Sequence, residues 1–252
     1  MEVTVIQFLI ICPMVFLAGL VDAIAGGGGL ISLPAYLIAG IPPHMALGTN
    51  KLSSLMGTSM STMQFARKGY ICLRRVIWFI VVSLIGSAIG SNLTLLVSEE
   101  TIGRLMALIL PFVAFYVLKN KKIGDDSLAG TLSPRRSFQI ALGSAFVVGM
   151  YDGFYGPGTG TFLILILTGA ARYSMSEAAG TTKAINLASN VAAFVTFLLH
   201  GKVIWALGLT AGALSVLGNF IGSEMLIHGG QRFVRPLVLV VLAILFGKIF
   251  FG

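Results

Sequence analysis

The chain has 252 residues, of which 56 % are hydrophobic and only 10 % are charged, and its mean hydropathy is +0.95. Soluble globular proteins carry about 25 % charged residues, so this composition excludes a water-soluble enzyme and a disordered protein. The net charge of +8 does not indicate a nucleic-acid partner, because the 17 Lys and Arg residues lie mostly in predicted loops.

Long apolar stretches predict a polytopic membrane protein. A helix needs about 20 apolar residues to cross ~30 Å of hydrocarbon, and the sequence contains roughly seven or eight such stretches. In chain order they cover residues 3–24, 45–66, 76–97, 105–118, 138–154, 178–199, 203–223 and 236–251. Two apolar pieces, at 30–41 and 162–171, are only about 10 to 12 residues long, which predicts re-entrant or broken half-helices.

Two clusters of Lys and Arg indicate how the chain is oriented in the membrane. They lie in loops at residues 67–75 and 119–137, and such basic loops are usually cytoplasmic. The sides of the termini stay open. If the short apolar pieces dip into the membrane and return, each half has four crossings and the halves are parallel. If the pieces complete a crossing, each half has five and the halves are inverted.

A repeat of about 130 residues divides the chain into two related halves. The segment GLVDAIAGGGGLISLP at 19–34 aligns with GMYDGFYGPGTGTFLI at 149–164, and ALGTNKLSS at 46–54 aligns with the part of the chain that includes AGTTKAINLASN at 179–190. We therefore predict an all-α polytopic membrane protein of two homologous four-helix repeats with Gly-broken or re-entrant half-helices. The predicted units are a first repeat at 1–118, a cytoplasmic linker at 119–136 and a second repeat at 137–252.

The glycine-rich part of each aligned segment predicts a helix break inside the membrane. Lipid cannot satisfy the backbone N–H groups that a break frees, so these groups must be buried in protein or line a wet cavity. The half-helix that follows presents N–H donors and the positive end of its dipole, which together favour an anion. Close helix packing is the other interpretation of these glycines. The candidate binding residues are Gly26, Gly27, Gly28, Gly29, Gly156, Gly158, Thr159 and Gly160.

One lysine in each half, Lys51 and Lys183, lies inside an apolar stretch. A charge at this depth costs about 2.5–3.5 kcal/mol, so each lysine should face the protein interior and have a partner. Asp22 and Asp152 are the candidate partners, either as structural acids or as proton carriers. Polar side chains beside the lysines, or at helical spacing from them, extend the predicted binding site. These side chains are Asn50, Ser54, Asn186 and Asn190.

No nucleotide, metal or redox motif accompanies these residues. The sequence has no GxxxxGK[ST] segment, its three histidines are far apart, and Cys12 and Cys72 form no CxxC pair. We therefore expect no cofactor, no metal and no enzymatic activity. The GxxxG pairs at 86–90 and 218–222 predict close helix packing.

Four of these segments together resemble the sulfite exporter TauE/SafE family, also called the 4-toluene sulfonate uptake permease family. They are GLVDAIAGGGGLISLP, ALGTNKLSS, GMYDGFYGPGTGTF and AGTTKAINLASN, and the similarity covers nearly the whole chain. The resemblance implies a secondary transporter of roughly eight transmembrane helices. It also implies a substrate among sulfur-containing or organic anions such as sulfite, organosulfonates and sulfoacetate.

The expected function is transport of such an anion across the cytoplasmic (inner) membrane by alternating access, in the direction of export. The anion would sit between the two glycine breaks near the membrane midplane. A passive anion channel and a non-transporting membrane accessory protein are the alternatives. The expected partners are the small anion and the lipid bilayer, without nucleic acid, and formation of a homodimer is left open.

Overall fold

The computed structural model describes residues 3–106, 108–109 and 129–227, and within these ranges the chain forms helices joined by turns, without a strand. The all-α prediction is therefore confirmed. Residues 99–106 are also helical. The helices with defined bounds are α1 (Val5–Ala25), α2 (Gly29–Ile38), α3 (Pro43–Arg67), α4 (Leu73–Leu96), α5 (Pro134–Phe154), α6 (Thr159–Gly169), α7 (Met175–Leu199) and α8 (Trp205–Ile227).

Four of these helices, α1, α4, α7 and α8, are long and apolar enough to cross a membrane. α3 and α5 have 25 and 21 residues, but both bury polar side chains that face other helices. The predicted spans at 236–251 and at 105–118, beyond residue 109, lie outside the described residues. The predicted boundary at 118/119 also lies there, whereas the one at 136/137 falls near the start of α5. The division into two homologous halves stays a prediction.

Each short helix folds back along the long helix that precedes it. The side chain of Gln7 near the start of α1 donates a hydrogen bond to the carbonyl of Ala39 after α2, at 3.0 Å. In the second hairpin, the hydroxyl of Ser137 near the start of α5 donates to the carbonyl of Ala171 after α6, at 2.6 Å. Both short apolar pieces are therefore re-entrant, as one of the two sequence interpretations predicted.

Ion pairs mark the two opposite ends of the molecule. The end of the molecule at which α1 begins, called the α1 end, contains residues 39–42, 98–99 and 200–204. There Glu99 lies 3.3 Å from His44 and 3.5 Å from Lys202. The opposite end, at which α5 begins, is called the α5 end and contains residues 68–72, 129–133 and 170–174. There Arg75 pairs with Glu177 at 2.9 Å. The described parts of both basic loops lie at this α5 end.

The two hairpins enter the molecule from opposite ends. α3 and α7 run antiparallel, because Gly48 packs against Lys202 near the start of α3 while the hydroxyl of Thr62 donates to the carbonyl of Lys183 at 3.2 Å. The expectation that re-entrant pieces go with parallel halves was wrong. A hairpin such as α1–α2 returns to the end from which it started and so adds no net crossing, and the second hairpin starts from the other end of the molecule.

Glycines in the two GxxxG pairs let long helices touch backbone to backbone. A Cβ atom on Gly86 or Gly90 of α4 would lie closer than 3.0 Å to a carbonyl of α5. A Cβ atom on Gly218 or Gly222 of α8 would approach carbonyls of α1 just as closely. The prediction that these pairs pack helices is confirmed. The packed pairs α4–α5 and α1–α8 form a frame that fixes the first helix of each hairpin in place.

We expect Gly90→Ala to destabilise this frame, because the new methyl group would meet the carbonyl oxygen of Met150 and force α4 and α5 apart. Overpacking of this kind costs about 1–3 kcal/mol. The melting temperature in detergent should fall, as measured by loss of the monodisperse peak after heating. Gly143→Ala on the exposed face of α5 is the matched control, since nothing lies within 4 Å of its Cβ position. Equal melting temperatures of the two variants would contradict the packing argument.

Candidate functional site

The two glycine-rich turns at the tips of the hairpins are in direct contact. The N–H of Gly160 donates to the carbonyl of Gly26 at 3.1 Å. A Cβ atom on either glycine would lie closer than 3.0 Å to the backbone of the other. Gly26 has φ +71° and Gly156 has φ +101°, backbone conformations that favour glycine. Side chains larger than hydrogen are therefore excluded where the hairpins meet.

Each buried lysine pairs with an acid in the hairpin that belongs to the other predicted half of the chain. Lys51 Nζ on α3 lies 2.7 Å from Asp152 Oδ2 on α5 and 3.1 Å from Asn190 Oδ1 on α7. Lys183 Nζ on α7 donates to the backbone carbonyl of Asp22 on α1 and lies 3.3 Å from its Oδ2. The sequence predicted these four residues as partners. The structure adds that each pair joins a long helix of one predicted half to the hairpin of the other half.

The two pairs differ in how fully the carboxylate is engaged. Asp152 accepts from Lys51 through Oδ2 and from the hydroxyl of Thr159 through Oδ1, at 2.8 Å, and its side chain is 7 % exposed. The side chain of Asp22 has one ion-pair contact among the described residues, to Lys183, and is 19 % exposed. Asp22 therefore keeps more free acceptor capacity than Asp152.

A polar cavity of about 40 Å³ lies between the hairpin tips and helices α3, α7 and α8. Space of about 10–15 Å³ holds one water molecule, so the cavity has room for about three. Most of the predicted site residues line it. They are Asp22, Gly26, Gly28, Gly29, Asn50, Lys51, Ser54, Asp152, Gly156, Thr159, Asn186 and Asn190.

Four predicted residues do not line the cavity: Gly27, Gly158, Gly160 and Lys183. Gly160 contacts Gly26 instead, and Lys183 lies behind Asp22, to which it is bonded. The expectation that the half-helix after the second break offers a free N–H to an anion is therefore wrong for Gly160, because a backbone carbonyl already accepts that hydrogen.

Sequence reasoning missed a part of the lining that comes from α8 and from hydroxyl side chains. Ser215 and Asn219 lie four residues apart in an otherwise apolar span, and they reach the cavity at the point where Gly57 of α3 packs against them. Two polar residues at helical spacing were the available signal. The other missed lining residues are Gly19, Ser32 and Ser53, whereas Thr58 lines the cavity at the helical spacing from Lys51 and Ser54 that the sequence predicted.

Three cavity-lining amides have hydrogen-bonding capacity left for a ligand. The Oδ1 atoms of Asn50, Asn186 and Asn219 are buried without a partner among the described residues. Buried polar groups are nearly always paired, so unpaired ones need an explanation. A side-chain amide that rotates can present either its oxygen or its NH₂ group. A bound polar molecule would satisfy these groups.

Comparison with known proteins identifies the family. The family described as sulfite exporter TauE/SafE matches residues 11–249. The probable membrane transporter protein ORF9 of Sinorhizobium sp is 37 % identical over 226 residues, which are 90 % of this chain and 85 % of that protein. A probable membrane transporter protein of Haemophilus influenzae is 37 % identical over 226 residues, with 89 % and 87 % covered.

The probable membrane transporter protein YfcA of Escherichia coli (strain K12) is 32 % identical over 237 residues, which are 93 % of this chain and 86 % of that protein. No solved structure matches the chain. The chain belongs to the sulfite exporter TauE/SafE family of membrane transporters.

Proposed function

We propose that the protein exports a small anion, of the class of sulfite and small organosulfonates, across the cytoplasmic membrane by alternating access. The observation that carries this proposal is the cavity at the meeting point of two re-entrant hairpins, lined by Lys51 and by amides with unused hydrogen-bonding capacity. Transporters commonly bind substrate between broken helices near the midplane. The description of the family, sulfite exporter TauE/SafE, supplies the substrate class.

The size of the cavity favours a compact anion. About 40 Å³ matches a few non-hydrogen atoms, as in sulfite or methanesulfonate, and is too small for an aromatic sulfonate in this conformation. A Cβ atom on Gly156 would lie 3.1 Å from Asp152 Oδ1 and 3.2 Å from Lys51 Nζ, so glycine at this position keeps a side chain away from the ion pair at the cavity. We infer a substrate with a small oxyanion head.

The crossed ion pairs support alternating access over a channel. Lys51–Asp152 and Lys183–Asp22 each join a hairpin of one half to a long helix of the other half, and they lie beside the cavity. A channel needs a continuous wet path. Movement of one half against the other would break one pair while it leaves the second intact, which opens the cavity to one side at a time.

The basic loops place the α5 end in the cytoplasm under this proposal. Arg75 and the chain around Gly130 and Arg172 meet at that end, and basic loops are retained inside the cell. An anion that leaves a cell with a negative interior gains about 2.3 kcal/mol per charge per 100 mV. Export of an uncompensated anion would therefore be favoured by the membrane potential.

Reconstitution into liposomes tests the function. The assay compares uptake of sulfite, sulfate, sulfoacetate, methanesulfonate and acetate by the wild type and by the double variant Lys51→Gln/Asp152→Asn. The double variant removes both charges of the buried pair, so it should fold but lose transport. Arg104→Gln, which alters an exposed pair at the surface, is the control and should keep it.

Saturable flux of small sulfur oxyanions that is lost in the double variant supports the proposal. Non-saturating flux would favour the passive channel, and unchanged flux of every anion in the double variant would refute the assignment of the cavity. Absence of any flux, together with co-purification of a partner complex, would favour the accessory protein.

A further inference from the structure

The charged groups that the structure describes at the cavity add up to zero. Asp22, Lys51 and Asp152 line it, and Lys183 is bonded to Asp22 from behind. Two positive and two negative side chains leave no net charge to balance an incoming anion. The nearby helices α2 and α6 contain no charged residue, and the single charged residue of α8, Glu224, accepts from the side chain of Gln64 at 3.0 Å.

The helix dipoles at the hairpin tips also cancel. α2 and α6 begin there, which brings two positive ends, but α1 and α5 end at the same turns and bring two negative ends. Each end is equivalent to about half an elementary charge, so the sum is close to zero. The anion site expected from the sequence rested on the positive ends of α2 and α6 and left out the negative ends of α1 and α5.

A singly charged anion in this cavity would therefore leave the buried cluster with a net charge of −1. Burial of an uncompensated charge is strongly unfavourable. The remaining titratable groups that could compensate are the two carboxylates, because protonation of either one restores neutrality. The anion must then arrive together with a proton.

The contacts distinguish the two carboxylates. Protonation of Asp152 would weaken its 2.7 Å bond to Lys51, and both of its oxygens are already in use. Protonation of Asp22 would weaken a 3.3 Å contact, while Lys183 would keep its hydrogen bond to the backbone carbonyl of the same residue. Asp22 is also the more exposed of the two at the cavity. The remaining charges around Asp22 are Lys183 on α7, Lys51 on α3 and Asp152 on α5.

We propose that Asp22 takes up one proton for each singly charged anion that binds in the cavity, so that anion and proton cross together. This inference rests on the proposed function and deepens it. The loaded cluster then contains two lysines, one carboxylate, one carboxylic acid and the anion, and its charges sum to zero. Transport is then electroneutral, so the membrane potential no longer drives it. Export is driven by the outward gradient of the anion and is opposed by any inward gradient of protons.

Proteoliposomes with a pH indicator inside test this proposal, and methanesulfonate is the probe. Methanesulfonate stays ionised throughout the working pH range, so any proton that moves with it is carried by the protein. For the wild type we expect about one proton to enter with each anion, as neutrality of the buried cluster requires. The flux should not respond to a potassium diffusion potential, and an inward proton gradient should drive uphill uptake.

Asp22→Asn is the decisive variant, because the amide imitates the protonated acid. It should still exchange labelled for unlabelled methanesulfonate, which establishes that it folds and binds. The proton-to-anion ratio should fall to near zero, and net flux should become sensitive to voltage. Asp152→Asn also leaves one positive charge free to balance the anion, so the charge-preserving Asp152→Glu is the matched comparison, and its remaining flux should keep the wild-type ratio.

The outcomes separate the two proposals. Methanesulfonate flux by the wild type without proton movement, or an unchanged ratio in Asp22→Asn, would overturn the role of Asp22 and leave the proposed function standing. Loss of the ratio in Asp152→Asn alone would assign the proton to the other acid. Absence of methanesulfonate flux at every pH would overturn the proposed function and this inference with it.

Discussion

Gly26→Ala is expected to abolish transport. The new methyl group would lie closer than 3.0 Å to the backbone of Gly160, which is not a flexible side chain that can move aside. The residue also has φ +71°, where a Cβ atom adds strain. The two hairpin tips would separate, and the hydrogen bond from Gly160 to the carbonyl of Gly26 would break. Initial rates of anion uptake in proteoliposomes measure the effect.

The neighbouring Gly27→Ala is the matched control for this prediction. A Cβ atom there would meet its nearest neighbour at 3.6 Å, an ordinary contact, and Gly27 does not line the cavity. Uptake by Gly27→Ala should stay within a few-fold of the wild type. If both variants transport equally well, contact between the hairpin tips is not needed for function.

The glycine blocks and the buried lysines were predictable because their chemistry is costly inside a membrane. Lys51 and Lys183 each needed an interior position and an acidic partner, whatever the fold. The glycine turns needed protein around their backbone polar groups. These two requirements were sufficient to identify Asp22 and Asp152, which the structure pairs with the lysines.

The pairing across the molecule was not predictable from one chain. Spacing along the sequence states which residues share a helix face, but not which hairpin approaches which long helix. The aligned segments are compatible with Lys51 facing either acid. The choice follows from the opposite entry of the hairpins, which brings Asp152 to Lys51 and Asp22 to Lys183.

The α8 contribution was missed for a related reason. Ser215 and Asn219 lie in a mostly apolar helix whose single charged residue, Glu224, is near its C-terminal end, so no charge next to them draws attention to them. Their role at the cavity depends on close packing of α8 on α3, where Gly57 has no space for a side chain. Such packing depends on tertiary contacts that a hydropathy pattern does not contain.

Lys51→Met should destabilise the protein more than Lys183→Met. Removal of Lys51 leaves Asp152 as a buried carboxylate with Thr159 as its one side-chain donor among the described residues. Loss of one partner of a buried ion pair costs about 3–5 kcal/mol. Removal of Lys183 leaves Asp22, which is partly exposed at the polar cavity and so stays better solvated. Melting temperatures in detergent, compared at one pH, measure the difference.

A double-mutant cycle makes the physical cause testable. If the unpaired carboxylate is what destabilises Lys51→Met, then Asp152→Asn in the same chain should restore most of the lost stability, because it removes the uncompensated charge and keeps a side chain of similar shape. The same addition to Lys183→Met should lower the stability further, because it removes the carboxylate that pairs with the buried Lys51. Equal destabilisation by both lysine variants, or no rescue by Asp152→Asn, would mean that the two pairs are equivalent. The asymmetry between a structural pair at Asp152 and an exchangeable acid at Asp22 would then have no basis in stability.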